Sequence, residues 1–280
     1  MTTQLTRRSL FALALAPLLP GVALAARNGT PRLVTTELIL TETALALGLS
    51  PLAAGNLPLY RRLVGTPSLP ATTHDLGPLN EPNMELLVHL APDLILAADW
   101  QRGPQAALER IAPTLWLETL PFVKPPLDIA SDLATAIAGA AGASAAPLIA
   151  GLDQALAALA QRIRVLNPPP VLLVRFLEDG RHALAFTLGS MPGDLLARAG
   201  GRNALEAGGP PGALPLGLSE IIALGAPLLA TGPLPQSALF RRVLGSGALR
   251  AIQLPPVFPA GGLASAARLC EALGDGLERI

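Results

Sequence analysis

The sequence has few of the residues that build disulfide-linked, metal-holding or nucleic-acid-binding proteins. Cys270 is its only cysteine, which excludes an intramolecular disulfide and reads as a buried, inert thiol on a helix. Charged residues make up 14% and the formal net charge is zero, so there is no basic field for nucleic acid or for an anionic membrane surface. His74, His89 and His182 show no metal-ligand spacing to one another or to Cys270. The composition therefore disfavours a metal cluster and a nucleic-acid partner.

The usual signatures of secreted enzymes are also missing. There is no G-x-S-x-G elbow, no G-x-G-x-x-G, no P-loop and no H-E-x-x-H. Ser190 stands beside a glycine without the elbow spacing, and Glu178 and Asp179 fall in a predicted hairpin turn, where solvated acids are normal. These absences disfavour a secreted enzyme, which stays as an alternative.

The N-terminus has the order of an export signal. Residues 6–11 read TRRSLF, a twin-arginine pattern, and an apolar run over residues 10–20 leads to Ala23-Leu24-Ala25, a cleavage site of the A-x-A type. The apolar run is too short to span a bilayer with any margin. We predict a twin-arginine signal over residues 1–25 and a protein that works in the periplasm. The alternative is a structural helix that happens to contain two arginines.

After the signal, short apolar runs alternate with helical patterns, which predicts an α/β fold with mostly parallel sheets. Strands are predicted at residues 32–35, 93–98, 114–117, 171–177 and 183–186. Helices are predicted at residues 38–47, 84–91, 107–111 and 194–199, and one more is predicted to start at a capping Ser219.

The middle of the chain carries no strand signal. Between residues 148 and 166, apolar residues recur every three or four positions, which predicts an amphipathic helix of about five turns. We therefore predict two α/β lobes joined by one long interlobe helix, with lobes at residues 26–126 and 169–280 and a helical linker at 127–168. A single continuous α/β domain with a long crossover helix is the alternative.

Residues 75–98 resemble the helix-to-strand signature of periplasmic iron-siderophore binding proteins, the substrate-binding components of ABC importers that use a rigid interlobe helix. The matching segments are DLG at 75–77, NEPNMELL at 80–87 and LAPDLIL at 90–96, followed in order by LLARAGGRNA at 195–204 and LSE at 218–220. The resemblance implies a cleft between the lobes that holds a ferric hydroxamate siderophore of the ferrichrome type. It also implies that the chelator supplies every iron ligand, that the protein needs no cofactor, and that a monomer delivers its ligand to an inner-membrane ABC permease.

The sequence departs from that family at the cleft. By the best register, Leu79 stands where hydroxamate binders have an arginine, and Trp100 matches a cleft tyrosine. The other aromatic positions of the cleft fall on Leu38, Leu63, Phe258 and Ala260. Of these aromatic positions, only Trp100 and Phe258 have an aromatic side chain. An open alternative is therefore that a protein of this fold binds cobalamin, haem or a non-hydroxamate chelate.

Two loops are predicted to supply replacement chemistry at the cleft. Arg102 follows Trp100 in a glycine-containing loop after a strand, and Tyr60 stands with two arginines in a second predicted loop. Solvated loop charges are the alternative for these arginines. The predicted ligand-binding residues are Trp100, Phe258, Arg102, Tyr60, Leu63, Leu79 and Leu38.

The resemblance also implies docking acids, because one exposed acid on each lobe pairs with basic residues of the permease in such importers. Glu220 matches that pattern in the second lobe, and Glu109 is the nearest candidate in the first. Each is equally compatible with an ordinary helix-surface charge.

Overall fold

The computed structural model describes residues 30–120, 124–205 and 212–280. The predicted signal at residues 1–25 lies outside this part of the chain. Two five-stranded sheets follow one another along the sequence, each with helices packed on it. This confirms the predicted class, two α/β lobes.

The first sheet is wholly parallel and has the order β3-β2-β1-β4-β5. In chain order this lobe contains β1 (Leu33–Thr35), α1 (Leu38–Ala46), β2 (Ala53–Ala54), α2 (Leu57–Leu63), β3 (His74–Asp75), α3 (Met84–Leu90), β4 (Leu94–Ala98), a 3-10 turn (Asp99–Gln101), α4 (Gln105–Ile111) and β5 (Thr114–Leu117). Since the chain builds β2 and β3 on one side of β1 and then β4 on the other, the strand order reverses between β1 and β4. Open α/β sheets bind ligands outside the carboxyl ends of the strands at such a reversal.

Capping side chains explain where the helices of the first lobe begin. The Asn83 side chain accepts the N–H of Leu86 at 3.0 Å, and α3 starts at Met84, where the sequence predicts a helix to begin. Asn56 does the same for Leu59 at 3.1 Å, and this starts α2. The predicted loop around Tyr60 is therefore wrong, because Tyr60 lies inside α2. His74 belongs to the short strand β3.

Two helices, α5 (Pro126–Ala141) and α6 (Ala146–Leu166), connect the sheets. The helix predicted over residues 148–166 is confirmed, and it begins two residues earlier. The contacts between lobes come mainly from α5, which has two apolar faces. One face packs into the core of the first lobe through Ile129, Leu133 and Ile137. The other packs into the core of the second lobe through Leu127, Ala130, Ala134 and Ala138, while α6 packs chiefly on the last helix of the chain.

The second sheet has the order β10-β9-β6-β7-β8, with β7 antiparallel to both of its neighbours. In chain order this lobe contains β6 (Leu172–Phe176), β7 (His182–Phe186), α7 (Met191–Arg198), β8 (Ala213–Gly217), α8 (Leu218–Leu224), β9 (Leu228–Ala230), α9 (Ala238–Gly245), β10 (Ala251–Gln253) and α10 (Leu263–Leu277). The predicted hairpin between β6 and β7 is confirmed, and the Asp179 carboxylate holds its turn by accepting the N–H of Arg181 at 2.9 Å. The predicted serine cap of α8 is wrong. Gly217 is the N-cap, and the Glu220 side chain accepts its N–H at 2.7 Å.

A buried carboxylate joins the two lobes. Glu42 of α1 is 0% exposed, and its two oxygens accept the N–H groups of Gly262 at 3.0 Å and Ser265 at 2.7 Å, at the start of α10. Burial raises the pKa of this carboxyl above its ordinary value. A Cβ on Gly261 would lie 2.3 Å from the Glu42 carboxylate, so glycine is required for this close approach.

The burial of Cys270 also agrees with the prediction from the sequence. Cys270 is buried in α10, and burial raises the pKa of its thiol to about 12, which makes the thiol inert as predicted. In the described part of the chain, no helix combines the length and the apolar character needed to cross a bilayer.

Candidate ligand-binding cleft

The strand-order reversal of the first lobe is organised by Gln101. Its side chain is 6% exposed and links three segments at the carboxyl ends of β1 and β4. The Gln101 amide oxygen accepts the N–H of Ala98 and the hydroxyl of Thr36, and its amide nitrogen donates to the carbonyl oxygens of Thr36 and Leu79. The sequence analysis missed this residue because a glutamine after a strand carries no recognisable signal. Gln101 fixes the neighbouring Trp100 on a rigid turn.

Trp100 emerges at the carboxyl end of β4, where the sequence analysis predicts a ligand-binding ring. It is 43% exposed, although large aromatic side chains usually bury most of their surface. The position of Trp100 at the reversal makes its ring available to a ligand.

Five predicted site residues lie in one apolar cluster that spans the lobes. Tyr60 and Leu38 are its buried members, and Phe258 from the second lobe packs against them with Leu63 and Leu79. Sequence spacing alone could not bring Phe258 to Leu38, since they are far apart in the chain. Leu79 stays partly buried, and its Cδ2 would lie 3.0 Å from a Cβ on Gly55.

The two predicted polar replacements already have partners inside the protein. The Tyr60 hydroxyl donates to the carbonyl oxygen of Pro67 at 2.8 Å, and burial raises the pKa of this phenol. The Arg102 guanidinium pairs with Asp99 at 2.5 Å and lies 4.9 Å from the centre of the Trp116 ring. Trp116 itself is partly buried and packs against the core of the first lobe. A ligand would have to compete with these contacts.

A cavity of about 200 Å³ lies between the lobes. Ile39 of α1, Thr119 after β5 and Ile129 of α5 form one side, and Phe186, Met191 and Ala213 of the second lobe form part of the other. Most of this lining is apolar. The resemblance implies a cleft between the lobes, and the predicted cleft position Ala260 lines this cavity. The other wall residues were not predicted, because they come from loops and helix starts that are far apart in the chain.

Two carboxyl groups lie beside wall residues of this cavity: Glu42, whose carboxylate would lie 2.3 Å from a Cβ on Gly261, and Glu37. Glu37 is partly buried at the N-cap of α1, and its carboxylate accepts the N–H of Ile39 at 2.8 Å. Burial raises the pKa of Glu37 from 4.5 to about 7, and the hydrogen bonds from the first backbone N–H groups of α1 oppose that rise. The N-terminus of α1 therefore already holds a carboxylate at the point where α/β proteins often bind an anionic ligand.

The two predicted docking acids are both exposed. Glu220 caps α8 on the second lobe. Glu109, on α4 of the first lobe, accepts the indole N–H of Trp116 at 3.0 Å. In the ranges described here, no group of three or more His, Cys, Asp and Glu side chains is arranged to hold a metal ion.

Two lobes that enclose a cavity beside a strand-order reversal define a two-lobed ligand-binding protein. The chain belongs to the periplasmic binding protein family, whose model matches residues 33–227. The members of this family are substrate-binding proteins of transport systems rather than enzymes.

Similar proteins include siderophore binders. The chain is 33% identical over 209 residues to the iron(3+)-hydroxamate-binding protein FhuD of Escherichia coli K12, covering 71% of this chain and 68% of that protein. It is 34% identical over 97 residues to the Fe(3+)-citrate-binding protein YfmC of Bacillus subtilis 168, covering 33% of this chain and 30% of that one. The solved structure of FhuD from Vibrio cholerae with bound Fe3+-Desferal matches with a TM-score of 0.78 at 27% identity, covering 89% of this chain and 98% of that one.

Proposed function

We propose that this protein captures a ferric siderophore of the hydroxamate type in the periplasm and delivers it to an ABC importer, without catalysing a reaction. The observation that carries the proposal is the match to the FhuD proteins, which extends over both lobes. The cavity between the lobes and the exposed Trp100 at the strand-order reversal support it. Iron enters only as part of the chelate, so the protein itself holds no metal or cofactor.

We further propose that Trp100 and Phe258 contact the chelate, with Leu38, Leu63 and Leu79 as apolar wall. The shared cluster of Phe258 with the three leucines supports this set. Tyr60 is fully buried and its hydroxyl is bonded to Pro67, so it supports this wall from behind rather than contacting the chelate. Arg102 reaches the chelate only if its ion pair with Asp99 opens.

Export and docking complete the proposal. The twin-arginine pattern supports export of the folded, monomeric chain, and the exposed Glu109 and Glu220 support docking to basic residues of the permease.

The first test is the absorbance spectrum of the protein purified from its native periplasm. A ferric charge-transfer band is expected, whereas a Soret band or a corrin spectrum would replace the siderophore with haem or cobalamin. Calorimetric titration with ferric desferrioxamine B, ferrichrome and ferric citrate then assigns the chelate class. Tight one-to-one binding of the two hydroxamates is expected, and binding of citrate alone would contradict the hydroxamate assignment.

The second test restores the missing guanidinium. If Leu79 lies at the chelate, Leu79→Arg adds a charge-assisted hydrogen bond and strengthens hydroxamate binding by about 1.5–3 kcal/mol. Leu239→Arg is the matched control, because Leu239 is 52% exposed on α9. Equal affinities of the two variants would remove Leu79 from the site.

A further inference from the structure

The cavity between the lobes is apolar beyond what a site for oxygen-rich chelates requires. Its apolar lining includes Ile39, Ile129, Phe186, Met191 and Pro259. None of the described residues that line it is ionisable. Trp100 and Phe258, the proposed chelate contacts, lie outside its walls. Because the wall residues Pro259 and Ala260 directly follow Phe258 in the chain, the cavity borders the proposed chelate position.

The size of the cavity defines what it can hold. An apolar cavity of about 150 Å³ binds benzene, so about 200 Å³ is enough for one aromatic ring or a short branched alkyl chain. A whole ferric chelate is far larger than this. The occupant is therefore a single substituent rather than the metal centre.

One polar atom in the cavity wall has no partner. The Thr119 hydroxyl oxygen is buried and makes no hydrogen bond within the described structure. The other wall hydroxyl, that of Ser190, donates to the carbonyl oxygen of Thr187 at 2.6 Å and accepts the N–H of Gly193 at 3.1 Å. Because buried hydroxyl groups are normally hydrogen-bonded, Thr119 is the group that a ligand can satisfy.

The charge beside the cavity limits the occupant further. The Glu37 carboxyl accepts the N–H of the wall residue Ile39, two positions further along the chain, and occupies the N-terminus of α1. A negatively charged substituent would meet this carboxyl and find no cation in the described walls.

We propose that this cavity is a subsite for an uncharged apolar substituent of about the size of a benzene ring, carried by the chelate on a carbonyl that accepts a hydrogen bond from the Thr119 hydroxyl. This subsite rests on the proposed function and deepens it. The protein then distinguishes ferric chelates that share the same iron centre by the substituents they carry.

The test uses one chelate with different attachments. Ferric desferrioxamine B has a free terminal amine, and its N-acetyl, N-benzoyl and N-succinyl derivatives keep the same iron centre. The benzoyl form is expected to bind about 10- to 100-fold more tightly than the acetyl form, because its ring is buried in the cavity. The anionic succinyl form is expected to bind most weakly of the three. Equal or weaker binding of the benzoyl form would overturn the subsite.

Substitutions in the cavity wall test whether the preference for the benzoyl form arises in this cavity. Ala260→Leu narrows the cavity at an exposed wall position, and Ala213→Leu narrows it from the second sheet. In either variant the affinity for the benzoyl form, divided by the affinity for the acetyl form, should fall close to one. Ala106→Leu, exposed on α4, is the control that should keep the ratio. Thr119→Val should weaken both acyl derivatives about three- to tenfold. A ratio that persists in both cavity variants would also overturn the proposal.

Failure of the proposed function gives a different result. If the protein binds no ferric chelate, the siderophore assignment fails. Binding of benzamide alone, measured by ligand-observed NMR, then tests the cavity. Benzamide combines the ring with the carbonyl that Thr119 would bind. Binding that Ala260→Leu abolishes supports the cavity as a site for this group, and absence of binding overturns it.

Discussion

Replacing Glu42 tests whether one buried carboxylate holds the two lobes together. In Glu42→Ala, the N–H groups of Gly262 and Ser265 lose the oxygens that accept them at 3.0 and 2.7 Å. An unsatisfied buried donor costs about 1–3 kcal/mol, and release of the buried charge returns part of that cost, so we expect a net loss of about 2–4 kcal/mol. Glu42→Gln keeps one acceptor oxygen and should lose about half as much.

Two measurements check this. The thermal midpoint of Glu42→Ala should fall by about 5–15 °C for a chain of this length. Hydrogen exchange of the first amides of α10 should accelerate, because these N–H groups lose their acceptor. Gly261→Ala should act in the same direction, since its Cβ would lie 2.3 Å from the same carboxylate.

The control lies on the same helix. Glu271 is exposed on α10, so Glu271→Gln should change the free energy of unfolding by no more than about 0.5 kcal/mol. If Glu42→Ala melts at the temperature of the Glu271→Gln variant, the carboxylate does not stabilise the junction and the reasoning is refuted.

Three further predictions follow from the cleft and the surface. Trp100→Ala should weaken chelate binding by about 1–3 kcal/mol and remove most of the ligand-induced fluorescence change; an unaltered titration would place Trp100 outside the site. The Glu37 pKa is raised from 4.5 to about 7, so its contribution to stability is complete below pH 4.5 and is lost as the pH rises through 7. Urea midpoints of Glu37→Gln should therefore decline less between pH 5 and 8 than those of the parent protein, with the remaining decline coming from the buried Glu42, whose pKa is also raised. Parallel curves would contradict the assignment. Glu109→Lys combined with Glu220→Lys should impair uptake and leave ligand affinity intact, and normal uptake in this variant would reject docking through these acids. The matching Gln variants remove the charge but keep a side-chain oxygen, so for Glu220 they separate loss of charge from loss of the cap on α8.

Sequence patterns succeeded where an element is long or bounded by a strong signal. The helix α6 has an apolar repeat over five turns, and β4 is a continuous apolar run after Pro92, so both were predictable. They failed for β2 and β3, which have two residues each, because two residues carry no periodicity. The helix α2 was missed for a related reason, since its seven residues follow a glycine and an asparagine that read as a turn.

Some residues of the candidate site could likewise be predicted from the sequence and others could not. Trp100 was predictable because a strand pattern ends just before it. Gln101 and Thr119 were not, since their importance lies in hydrogen bonds that are made between distant segments of the first lobe or left unmade beside a cavity. Such properties depend on neighbours that are distant in the chain.

The sequence by itself determined the alternation of strands and helices and the two-lobed family, because each is encoded in local spacing or in residue identity. The tertiary structure alone decided that Glu42 meets Gly262, 220 positions away, and that Leu38 meets Phe258. It also decided that an apolar cavity lies beside Thr119. Contacts of this kind arise when two independently patterned lobes pack on α5, and their geometry is set by that packing rather than by any local pattern.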